Sequence, residues 1–166
     1  MTFRIIGILT LSFLFVLMFC ASIPASDDVK IMNSMLRSLG PLAPGSPLFQ
    51  ARLRQLEQEY ERYLEKKRLS PYGNHNYSVI LAFLGKHGLA LKYEEMAAFW
   101  RPGELIFQLG LFMRYMDLGS YEKALAVFIK IRKGIHSGNL ATSCRKPPGL
   151  FLKRIQKILK ESQTSD

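Results

Sequence analysis

The side chains that most invite an acid–base, nucleophilic or metal reading are His75, His87 and His136, the carboxylates Glu94, Glu95, Glu104, Asp117 and Glu122 of the apolar second half, and Cys144. None of the histidines stands at a metal-ligand spacing from a Cys, another His or a carboxylate, so the pattern names no metal ligand. A nucleophile elbow of the G-x-S-x-G kind, a phosphate-cradling glycine loop and a local Cys–His signature are all missing from the sequence. Glu94-Glu95 and Glu104 are the nearest thing to a general-acid pair. Carboxylates in amphipathic helices ordinarily sit on the solvated face or near a positive helix N-terminus, and these three are expected there. The residues therefore point to a non-enzymatic protein with no catalytic residue, metal or cofactor.

The side chains suited to binding are more distinctive. Trp100, the one tryptophan, follows Phe99 and precedes Arg101-Pro102, and Trp and Arg are over-represented among interface anchors. Basic clusters occur at Lys66-Lys67-Arg68, at Lys130-Arg132-Lys133 and at Lys153-Arg154-Lys157-Lys160. From Lys130 onward nine Lys or Arg stand against Glu161 and Asp166, a net +7 of the chain's +10. Such asymmetry calls for an acidic partner: an anionic membrane surface, an acidic protein face or nucleic acid. Asn76-Tyr77-Ser78 is a glycosylation sequon, placing Asn76 as an acceptor if the chain passes through a eukaryotic secretory pathway.

These residues need elements to position them. With 166 residues, 48% apolar and 22% charged, the chain has the balance of one folded domain. Residues 1–25 stand apart. After Arg4 no charge appears until Asp27, and small residues close the run at Ala21, Ser22 and Ala25, the pattern of a signal peptide; its length also suits a signal anchor. Both place the protein in the secretory pathway, secreted or membrane-anchored. With residues 1–25 removed, Cys144 is the one cysteine left and no internal disulfide can form.

Residues 27–162 read as a single all-α domain. Residues 27–69 hold the N-terminal helices: a short one over 27–39, a Pro/Gly break, then a longer one begun by Ser46-Pro47 as N-cap and first helical residue. Phe49, Leu53, Leu56, Tyr60 and Leu64 line one face of it at spacings of three and four. The tract SPYGNHN, residues 70–76, reads as a loop by composition. Residues 76–135 follow as two helical hairpins, with helices over 77–87, 90–100, 104–118 and 121–133 separated at Gly88, Arg101-Pro102-Gly103 and Gly119-Ser120. Residues 150–161 form a basic amphipathic helix whose Lys153, Arg154, Lys157 and Lys160 suit an anionic surface.

The segment 111–135 resembles the helical hairpins of tetratricopeptide and pentatricopeptide repeats through Leu111, Tyr115, Gly119, Tyr121, Ala124 and Phe128. Tyr77, Leu81, Lys86 and Gly88 continue the likeness into 76–100. Tyr93 stands where either family places a small residue, and Gly88 to Gly119 is 31 residues, shorter than the family period. Two units also fall below the roughly three repeats that a solenoid normally needs. The resemblance implies a concave surface built by the first helices of 77–118, with Tyr115 and Trp100 facing a protein partner. The competing architecture is an ordinary helical bundle, and both bury Ala124 and Phe128 at a helix–helix contact.

The sequence thus reads as a helical protein-interaction module in the secretory pathway or tethered to a membrane, with Trp100, Arg101 and Tyr115 toward the partner. Two rivals stand beside it: a pentatricopeptide-like RNA-binding protein of an organelle, and a small secreted helical-bundle ligand.

Overall fold

Two Ser-Pro pairs start two helices. Ser46 accepts a hydrogen bond from the Phe49 N–H at 3.2 Å, and Pro47 opens α1, Pro47–Leu64. Ser70 accepts from the Gly73 N–H at 3.0 Å, and Pro71 opens α2, Pro71–Phe83. The oxygen satisfies an orphan N–H of the first turn, while proline supplies a preset φ where no donor is needed. The tract 70–76 is accordingly the first half of α2 and not a loop. Its turn-forming residues are held helical by burial, since every residue from Tyr72 to Leu81 lies in the interior.

Three further helices follow: α3, His87–Trp100; α4, Leu105–Asp117; and α5, Tyr121–His136. Gly85, at φ +77°, ends α2, with the Lys86 N–H donating to the Leu81 carbonyl at 2.8 Å. Gly119, at φ +68°, ends α4 in the same way, the Ser120 N–H donating to the Tyr115 carbonyl at 2.9 Å. Both closures use the left-handed conformation that glycine adopts without strain. The expected break at Gly88 moves to Gly85, and Gly88 lies inside α3.

This computed structural model describes residues 45–139 together with Lys30, Leu39, Leu42 and Ala43. The N-terminal segment 1–25, most of the helix expected over 27–39, Cys144 and the basic helix 150–161 lie outside the described residues. Among the described residues every regular element is a helix, and no helix is long and apolar enough to cross a membrane.

Successive helices run antiparallel. Phe49 at the start of α1 meets Phe83 at the end of α2, edge to face at 5.7 Å, and Tyr60 stacks on Tyr77 at 5.0 Å. Tyr72 at the start of α2 packs with Ala97 and Ala98 near the end of α3. His87 at the start of α3 comes within 3.9 Å of Asp117 at the end of α4. Helices α2 and α4 each touch three others: α2 meets α1, α3 and α4, and α4 meets α2, α3 and α5. On one side of α2 Leu53, Leu56 and Tyr60 close over Tyr77, Ile80 and Leu81, with Leu39 added from the segment before α1. On the other, Val79 joins Leu109, Phe112 and Met113 of α4 and Ala124, Phe128 and Ile131 of α5. Ala124 and Phe128 are buried at the α4–α5 contact, as their spacing implied.

Candidate partner-binding surface

Helix α3 buries small residues along one face and exposes several large ones, with Tyr93 half-buried against the Tyr77 ring at 4.7 Å. Ala90, Ala97 and Ala98 face inward along with Glu94, while Leu89, Met96, Phe99 and Trp100 are exposed. Alanine inside allows α3 to lie close between α2 and α4, since interaxial distance follows the side chains at the contact.

Glu94 is held by a partner from α2. Its Oε1 lies 2.8 Å from His75 Nδ1, and the two side chains are 0% and 1% exposed. Glu94 also occupies the space over Gly110 of α4, where a Cβ would collide with its carboxylate. One carboxylate thereby joins three helices. His75 packs against Phe107 at 5.6 Å between ring centroids, and Gln108 donates to the Pro102 carbonyl at 3.1 Å, tying the α3–α4 turn to α4. The pair is sealed from solvent, so no substrate reaches it in this conformation; its effect is to fix how α3 sits. The expectation that Glu94 lies on a helix surface, and His75 in or beside a loop, is corrected by this burial.

On the outside, the α3 stripe runs from Leu89 to Trp100, about 16 Å at 1.5 Å per residue. Phe99 and Trp100 end it, 76% and 65% exposed, ring edge to ring face at 5.6 Å. Arg101 turns back over the Tyr72 ring, 5.6 Å from its centroid, and lies 3.5 Å from Glu104. Tyr115 reaches the same side of the molecule. Its hydroxyl donates to Glu95 of α3 at 3.1 Å, and the Lys123 ammonium of α5 sits 5.8 Å from its ring centroid. Tyr115 thus links α3, α4 and α5 on one surface, through a residue five positions short of Trp100 along α3. Burial pushes its phenol above the ordinary value, and the bond to Glu95 adds to that. Asp117, at the other end of the α3–α4 contact, is also shifted upward by burial, with Arg114 and His87 acting in the opposite direction.

Of the residues singled out in the sequence, Trp100 is exposed, Arg101 is engaged with its own fold, and Tyr115 is half-buried beside the stripe. Asn76 is 8% exposed in the middle of α2, where a glycan would have to displace the packed core. Lys153, Arg154, Lys157 and Lys160 lie outside the described residues. Leu89 and Met96 were not singled out, although Leu89-x6-Met96-x3-Trp100 is helical spacing on one face. Comparison of the chain with protein-family models, with characterised proteins and with solved structures returns no match.

Proposed function

We propose that the chain is a non-enzymatic helical protein-interaction module whose α3 face receives a protein partner. The observation that carries this reading is the orientation of α3, which buries Ala90, Glu94, Ala97 and Ala98 and shows Leu89, Met96, Phe99 and Trp100 to solvent. Large apolar side chains left exposed along one helix face cost solubility and mark interaction sites. A stripe at helical spacing ending in Trp is the form in which one helix docks against a groove or another helix. The N-terminal segment supports delivery to the secretory pathway, secreted or membrane-anchored, with the helical domain meeting its partner there.

The test places a photo-crosslinking residue at Phe99 and, as a control, at the exposed Glu65 that follows α1, in the full chain expressed in its native cell. The expected result is a discrete protein adduct from position 99 and none from position 65, lost again when Met96 and Trp100 are changed to Ser. Equal adducts from both positions, or none from position 99, would overturn the reading.

A further inference from the structure

A second feature lies beyond the end of the α3 stripe. Helix α5 turns Ala124, Phe128 and Ile131 into the core and leaves Ala126, Ile129, Lys130 and Lys133 outside. The Pro102-Gly103 turn, two residues past Trp100, stands opposite, and Gly103 lies against the Asn139 carbonyl, 3.6 Å from where a Cβ would be. Between them is an open groove of about 530 Å³ with Ala126, Ile129 and Pro102 as apolar walls and Lys130 and Lys133 at its edge. Among the described residues no carboxylate lines it. Among the described residues neither ammonium pairs with an acid. The surrounding helix adds Lys123 and Arg132 against Glu122 alone.

The charges select the occupant. The chain's own continuation past Asn139 carries Arg145, Lys146, Lys153, Arg154, Lys157 and Lys160 against Glu161 and Asp166, so it would bring like charge to Lys130 and Lys133. A membrane surface would meet α5 as a plane, whereas the Pro102-Gly103 turn makes this site concave. We infer that the groove takes an acidic segment of a protein partner, with one apolar side chain seated on Ala126 and Ile129 and flanking carboxylates paired with Lys130 and Lys133. This rests on the reading of the chain as an interaction module and gives the partner its chemistry.

The experiment uses the full-length protein and a fluorescent amphipathic peptide of Leu, Phe and Glu, beside a counterpart with Lys in place of every Glu, read by anisotropy. The acidic peptide is expected to bind and the basic one not. Binding should weaken as salt rises from about 0.05 to about 0.3 M, because partly exposed ion pairs are screened over this range. The exposed double substitution Lys130→Glu/Lys133→Glu should lower affinity about tenfold or more while the circular dichroism is unchanged, and the Ala126 and Ile129 methyl resonances should shift on binding. The inference is overturned if the acidic peptide does not bind, if the charge-reversed protein binds it equally, or if vesicles rich in phosphatidylglycerol displace it from those methyls. The crosslink from position 99 reports separately on the parent reading: an adduct that survives Lys130→Glu/Lys133→Glu sinks the acidic partner and leaves the interaction module standing.

Discussion

A carboxylate without solvent contact persists in a fold when something of opposite charge or a strong hydrogen-bond donor meets it, and His75 does so for Glu94 at 2.8 Å. Removing one member of such a pair leaves the other stranded. His75→Ala or Glu94→Ala should each lower the unfolding free energy by about 3–5 kcal/mol in urea titration. The apolar double substitution His75→Leu/Glu94→Leu should cost far less than the sum of the two singles, because buried pairs are often replaceable by hydrophobic groups. Gly110 gives a sharper version. In a helix interior Gly→Ala ordinarily stabilises by about 0.5–1 kcal/mol. Here the new Cβ collides with Glu94, so Gly110→Ala should instead destabilise by about 2–4 kcal/mol, from overpacking and a disturbed His75–Glu94 hydrogen bond. A gain in urea midpoint would remove the carboxylate from that position. None of this was legible in the sequence: His75 sits amid turn-forming residues and Glu94 beside Glu95, and pairing across 19 positions leaves no local pattern.

At the scale of the element, helix starts and stops follow local rules. Ser46-Pro47 and Ser70-Pro71 carry the same start signal, yet the composition after Ser70 suggests a loop, because Gly73, Asn74 and Asn76 follow it. What composition cannot report is that α2 is enclosed by α1, α3 and α4, so that burial supports residues of weak helix propensity. Ser70→Ala should therefore cost about 1 kcal/mol, measured by thermal unfolding, as loss of an N-cap elsewhere does. The faces of α1 and the burial of Ala124 and Phe128 came directly from spacing. The outward face of α3 did not, since a stripe of Leu, Met and Trp reads as core by default, and only the inward alanines show which side is which.

For the whole molecule, titration offers a test of how the interior is closed. Burial raises the phenols of Tyr77, Tyr93 and Tyr115, with Glu61 adding to the first two and Glu95 to the third. These groups hold their protons in the folded state at pH values where the unfolded chain has begun to release them. Their contribution is therefore complete below the ordinary phenol value of about 10 and is lost as pH rises above it. The thermal midpoint should be flat with respect to these groups up to about pH 9 and fall by several degrees by about pH 11, and Tyr77→Phe should reduce the fall. Across the described residues the helices close over an interior in which the His75–Glu94 pair joins α2, α3 and α4, while α3 presents an apolar face on the outside. The most direct test of that division is to measure folding and partner capture together in Met96→Ser/Trp100→Ser, with the crosslinker kept at position 99. The expected result is a stability within the small range of surface substitutions, about 0.5 kcal/mol, with loss of the crosslinked partner. A variant destabilised by several kcal/mol, or one that keeps its partner undiminished, would contradict the assignment of α3 as the binding face.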